Sequence, residues 1–227
     1  MQIQEIIDNA LADREPKEIK SWHASKLGYC LSGVYFERIG IQPLTLPDAR
    51  LKRVFQCGNL FEKYVMEEMA KVETVEVEEQ VRVESDELNV TGYIDCVIKF
   101  ADGEMPVEFK SQNSRAFWYM VGDPKKGRAG EGAYPHHKMQ LLMYMYINGY
   151  KVGKLVYISK DDLCIQEYVI DINDPLLQTA LENVTKLNEA LKTGVPPEPA
   201  DEKTFQAKYC NWHDYCTGRL PLPVQKV

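Results

Sequence analysis

The stretch that most constrains this chain runs from Gly92 to Ser111. Two apolar, β-branched runs, Gly92-Tyr93-Ile94-Asp95-Cys96-Val97-Ile98-Lys99-Phe100 and Glu104-Met105-Pro106-Val107-Glu108-Phe109-Lys110-Ser111, flank Ala101-Asp102-Gly103. Asp-Gly between such runs predicts a hairpin whose turn residues tolerate positive φ. Strand side chains alternate, so Glu108 and Lys110 share one face while Val107 and Phe109 share the other. The run before it, 74 to 84, alternates Val75, Val77, Val81 and Val83 with charged residues, which predicts a third strand and an antiparallel meander.

A charged face on an apolar hairpin has a chemical use. A hard divalent cation takes carboxylate oxygens, and phosphodiester hydrolysis needs a cation beside the phosphate with a second positive group near the attacking water. Asp95, Glu108 and Lys110 provide those parts. The bland alternative is a solvated, salt-bridged sheet face.

The other elements follow from periodicity and breakers. An amphipathic helix is expected over 3–13, a second from Ser25 to Gly40 with Cys30 inside it, and a long helix capped by Asp48 and reaching Val72. That long helix carries the stripe Leu51, Val54, Phe55, Gly58, Phe61, Val65 and Met69, with Glu62 beside it. A short helix is expected over 113–120, then a glycine-rich mobile loop from Gly122 to Gly132 holding Lys125, Lys126 and Arg128. A helix from Pro135 to Asn148 puts His137, Gln140 and Tyr144 on one face. Strands near 154–159 and 163–171, a helix from Pro175 to Lys192 and an irregular tail complete the pattern. One domain is expected, in three parts: helical 1–72, core 73–193 and tail 194–227. A net charge of −7 argues against a generally basic nucleic-acid-coating surface but leaves room for a basic groove. No run approaches the roughly 20 apolar residues of a membrane span, so a soluble, cytoplasmic protein is expected. Six cysteines without a secretory signal do not read as a disulfide framework, and Cys57, Cys96 and Cys164 read as small core residues.

Taken in order, Gly58-x-x-x-Glu62, Gly92-x-x-Asp95, Glu108-x-Lys110 and Gln140-x-x-x-Tyr144 resemble the RecB-type branch of the PD-(D/E)XK nucleases. Ile94 stands where that name has Pro, and Glu62 stands where the branch usually has a metal-binding His. The resemblance implies a mixed α/β restriction-endonuclease-like core, a small sheet flanked by helices, with an N-terminal helical part over the cleft. It implies Mg²⁺ or Mn²⁺ on Glu62, Asp95, Glu108 and the Phe109 carbonyl. Lys110 would orient or activate water, and Gln140 and Tyr144 would position Lys110 and the DNA strand, with His137 in support. Lys125, Lys126 and Arg128 are expected to meet the phosphate backbone. The implied activity is DNA cleavage, as an exonuclease in recombination, replication, repair or CRISPR adaptation together with the proteins of those processes. A structure-selective endonuclease and a non-catalytic DNA-binding subunit are the alternatives.

A cysteine near the start and a cysteine cluster at the end are similar to the iron-sulfur members of this branch, the CRISPR-associated Cas-four and AddB-type nucleases. Cys210-x5-Cys216 matches the end of their Cys-x-x-Cys-x5-Cys pattern, and Ala207 replaces its first cysteine. Three readings stay open for Cys30, Cys210 and Cys216: a 4Fe-4S cluster with an incomplete cysteine set, a zinc ion with His213 as fourth ligand, or thiols packed among Tyr209, Trp212 and Tyr215.

Overall fold

The structure, a computed structural model, describes residues 2–11, 18–123 and 127–223. Its elements in chain order are α1 (Ile3–Ala10), β1 (Trp22–His23), α2 (Leu31–Arg38), α3 (Ala49–Met69), β2 (Glu76–Ser85), β3 (Val90–Phe100), β4 (Gly103–Gln112) and α4 (Ser114–Val121). There follow β5 (Gly122–Asp123), β6 (Arg128–Ala129), α5 (Pro135–Asn148), β7 (Val152–Ser159), β8 (Ile165–Asp171), α6 (Leu176–Thr193), α7 (Phe205–Lys208) and α8 (His213–Cys216). Chemistry at the ends explains several boundaries. Asp48 accepts the Leu51 N–H at 2.7 Å to cap α3, Asn113 caps α4 through Ala116 N–H, and Gly149 and Gly194 close α5 and α6 in the left-handed region.

The meander is present: β2 and β4 both run antiparallel to β3. β4 then pairs in parallel with β7 across the crossover that contains α4 and α5, and β8 closes the sheet antiparallel to β7. The key feature lies along β3. β2 accompanies one edge of it from Val90 to Lys99, while the other edge meets β1 at Val90 and Thr91 and β4 only from Cys96 onward. Residues 92 to 95 therefore face a gap in the ladder, and that gap is the Gly92-x-x-Asp95 segment. Two-residue β1 was not foreseen, because so short a strand carries no periodicity.

Helices cover both faces. Val107 and Phe109 pack with Met66, Phe61 and Val65 of α3, while α5 and α6 build the larger core on the opposite face around Trp22, Leu141, Met143 and Leu187. The alternation expected of β4 thus holds. The apolar stripe of α3 does not hold along its length: Leu51, Val54 and Phe55 are exposed, because the first turns of α3 overhang an open cleft. Four other expectations are corrected. Gly103 pairs with Phe100 and does not adopt positive φ, so the turn is the two residues Ala101 and Asp102. Cys30 is the N-cap of α2 and lies outside the helix, because a short 3₁₀ turn at Ala24–Lys26 precedes it. The glycine-rich stretch forms the β5–β6 pair, with Gly122 at φ 97° and its Cα hydrogen aimed where a Cβ would meet Arg128 O at 2.7 Å. Cys96 is buried, but Cys57 and Cys164 are half-exposed. No helix among the described residues is long and apolar enough to cross a membrane.

Candidate active site

Where β3 and β4 separate, their side chains fill the gap that the ladder leaves. The Asp95 carboxylate accepts the Phe109 N–H at 2.7 Å, which fixes it against β4. Glu108, one residue before, is 1% exposed. Its Oε1 accepts Lys110 Nζ at 2.6 Å and Gln140 Nε2 at 2.5 Å. Its Oε2 is buried and has no hydrogen-bond partner. A buried carboxylate oxygen without a donor is costly unless something positive meets it, and the groups set against Glu108 besides Lys110 and Gln140 are the carboxyls of Asp95 and Glu62.

Gln140 reaches Glu108 because α5 crosses the gap, and Tyr144 supports it one turn along: Gln140 Nε2 also donates to Tyr144 OH at 3.4 Å. Gly92 makes the crossing feasible, since a Cβ there would lie 2.5 Å from Tyr144 OH. Tyr144 is only 3% exposed, so it lies under Gln140 and out of the open cleft. His137 pairs through Nδ1 with Tyr157 OH at 2.8 Å and lines a cavity of about 340 Å³ together with Lys110 and Gln140. Glu62 approaches from α3 and accepts Gln80 Nε2 at 2.8 Å. Glu62, Phe109 and Lys110 line a second opening of about 450 Å³ on the α3 side.

The electrostatics follow from burial. Loss of solvent pushes Glu108 up to about 8 and Glu62 up to about 7, and it raises Asp95 despite the neighbouring Lys110. Lys110 is pulled down by burial, yet Glu108 and Asp95 outweigh this and leave it above its ordinary value. It is therefore an ammonium. Burial, then Lys110, lowers His137 to about 2, so its ring is neutral. Three carboxylates that resist ionisation around one lysine are a site short of positive charge.

Solved structures share this architecture. Over 97% of this chain and 98% of its own, the protein SSO0001 superposes with TM-score 0.59 at 19% identity. An alkaline exonuclease from Laribacter hongkongensis, solved in complex with dAMP, gives TM-score 0.55 at 16% identity over 84% of this chain and 94% of its own. A phage-related exonuclease from Haemophilus somnus 129PT gives 0.52 at 12% identity over 82% and 98%. The chain thus shares the fold of these exonucleases, a small mixed sheet flanked by helices. No protein-family model and no curated protein matches the chain.

A second cluster lies at the 340 Å³ cavity, which Cys30 and Cys210 line. Cys30, Cys210 and Cys216 bring their sulfurs within 4.8 Å of one another and could hold a metal ion, with Cys210 and Cys216 3.8 Å apart. Hydrogen bonds from the other two thiols draw Cys30 down to about 2, and the bonds to Cys210 and Cys30 raise Cys216. His213 is not part of this group, and Ala207, 2% exposed, offers only a methyl. Of the residues expected to meet DNA, Lys125 and Lys126 lie outside the described residues. Arg128 donates to Trp118 O at 2.6 Å and lies over the Tyr119 ring, which commits it to α4.

Gln80 is a site residue that the sequence did not signal. It sits opposite Asp95 where the β2–β3 register passes from Glu79–Cys96 to Val81–Ile94, and it takes φ 51°. A non-glycine residue in that region is strained, and here the strain turns its amide onto Glu62. A lone Gln in an alternating strand carries no such mark.

Proposed function

We propose that this chain is a divalent-metal-dependent deoxyribonuclease, an exonuclease that hydrolyses phosphodiester bonds. The observation that carries the reading is the bare, buried Glu108 Oε2 beside Asp95, with Lys110 and Gln140 both committed to Oε1. The residues fit Mg²⁺ or Mn²⁺: oxygen donors from Asp95, Glu108 and the Phe109 carbonyl, with Glu62 joining by releasing Gln80. A bound ion there would polarise the scissile phosphate and acidify a water. Asp95 is held in place by a backbone N–H, and Gln140 keeps Glu108 Oε2 presented to the gap. Lys110, as an ammonium, orients water and offsets charge growing on the phosphate rather than accepting a proton. Tyr144 positions Gln140 from below, and neutral His137 shapes the wall. End-labelled linear DNA, single- and double-stranded, compared with closed circular DNA in Mg²⁺ or Mn²⁺, tests the reading. Release of labelled mononucleotide from linear DNA alone supports it, whereas cutting of closed circles points to the endonuclease reading. No cleavage of any substrate overturns it in favour of a binding subunit.

The cysteine trio supplies three of the four thiolates a cubane takes. We infer that it binds an iron-sulfur cluster through those three, one position being left to a ligand other than cysteine; zinc is the other soft ion the donors suit. Such a group would pin the tail to α2. Anaerobically purified protein should be brown and contain iron, and colourless protein free of iron and zinc would refute any metal at this place.

A further inference from the structure

β2 and β3 change faces together at one level of the sheet. Val77 of β2 packs on the α3 side and Val81 on the α5 side, although residues four apart in a regular strand point the same way. On β3, Ile94 packs on the α5 side while Cys96 and Ile98 pack on the α3 side. Both reversals fall at Gln80 and Asp95, the pair missing from a register that is otherwise continuous from Glu79–Cys96 to Val81–Ile94. Asp95 is unpaired on its other edge as well, since β4 joins β3 only from Cys96. The reversal thus frees Asp95 from both neighbouring strands.

Gln80 makes this bend by taking φ 51°. Glycine adopts that conformation without a Cβ penalty, and asparagine tolerates it best among side chains. A glutamine there is a costly choice for the backbone, and such an outlier points to a use for the side chain. Its Nε2 donates to Glu62 Oε1 at 2.8 Å, from β2 across to α3. Glu62 lines the opening on the α3 side with Lys110, and the nearby charge of Asp95 opposes its own. Fastening α3 to the sheet does not explain the contact, because Phe61, Val65 and Met66 already pack α3 against Val107 and Phe109. One exposed amide bond adds little to that packing.

We propose that Gln80 is a latch on the cation site: it holds Glu62 on β2 while the site is empty, and a divalent ion must take Glu62 from it to gain a third carboxylate. The proposal rests on the nuclease reading, in which Asp95 and Glu108 hold the ion, and adds a residue that sets how tightly the ion is held. A neutral amide satisfies one oxygen of Glu62 without adding charge. The third carboxylate is therefore kept close without being a permanent ligand, and every ion bound through it competes with the amide.

The test is calorimetric titration with Mn²⁺ in the absence of DNA, at pH 8, above the value of about 7 to which burial raises Glu62. Gln80→Leu removes the amide but keeps side-chain bulk and the backbone strain; Gln80→Gly removes the amide and relieves the strain. Both variants should bind Mn²⁺ more tightly than the parent, by about 3- to 10-fold, the worth of one hydrogen bond. In a Glu62→Ala background, Gln80→Leu should bring no gain, a coupling that a merely structural role for Gln80 would not produce. Tighter binding in Gln80→Gly alone would assign the effect to backbone strain and overturn the latch. Unchanged or weaker binding in both variants would overturn it too. The two readings fail separately: a parent that binds Mn²⁺ with variants that bind it no more tightly removes the latch alone, whereas absence of Mn²⁺ binding from the parent and every variant removes the cation site and the latch with it.

Discussion

Lys110 and Gln140 of the carboxylate site line the same cavity as Cys30 and Cys210 of the cysteine cluster, yet the two sites are built in opposite ways. Asp95, Glu108 and Lys110 come from two adjacent strands, and a backbone N–H and a helix amide fix them before any ligand arrives. The three cysteines come from residues 30, 210 and 216 and join the start of α2 to the last helix, their sulfurs meeting one another while Cys210 and Cys216 pack on the core. The first site is preorganised by its fold; the second ties two segments that are distant in the chain. Damage to the first should therefore remove chemistry and spare structure, and damage to the second should do the reverse.

The largest effect expected from that contrast is on turnover. Lys110→Ala should reduce cleavage by about 1,000-fold while leaving DNA affinity near that of the parent, since an ammonium beside the attacked phosphate acts chiefly in the transition state. Near-parental turnover under single-turnover conditions would break the comparison at once. Cys216→Ala should show the opposite pattern, keeping the cleavage step but losing any bound metal and lowering Tm by about 5 °C, or roughly 2 kcal/mol. Equal loss of activity and stability in that variant would mean that the two sites act as one.

Intermediate effects concern pH. Burial holds Glu108 at about 8 and Glu62 at about 7, so without a cation Glu108 is mostly and Glu62 about half protonated at neutral pH. A cation must displace those protons, so apparent Mn²⁺ affinity should fall as pH drops from above 8 to 6, by up to about tenfold per unit for each proton displaced. Flat affinity across that window would show that these carboxylates are not the ligands. The smallest effect sharpens the structural half of the contrast. Trp212 is 8% exposed and donates Nε1–H to Ile41 O at 2.8 Å, holding the tail without using a thiol. Trp212→Phe should cost about 1 to 2 kcal/mol in urea melts, in metal-bound and metal-free protein alike.

Much of this was legible in the sequence because it is local. Alternation placed Glu108 and Lys110 on one face, Asp48, Gly149 and Gly194 marked helix ends, and spacing put Gln140 above Tyr144 on α5. What was hidden depends on distant partners. The gap at residues 92 to 95 exists because β1 pairs with β3 only at Val90 and Thr91 and β4 only from Cys96 onward. Gln80 turns onto Glu62 where its strand takes positive φ, and Phe205 meets His136 only because the tail folds back. His213 was drawn toward the cysteines by spacing alone, and the short helix α8 leaves it out of their group. Tyr144, placed by analogy against DNA, is buried because Gly92 lets it sink to β3.

The central claim is that the gap in β3 binds a catalytic cation through Asp95 and Glu108, and calorimetric titration with Mn²⁺ addresses it most directly. The parent should bind Mn²⁺, and Asp95→Ala and Glu108→Ala should each lose that binding while Cys216→Ala keeps it. Unchanged Mn²⁺ binding in both carboxylate variants would contradict the account.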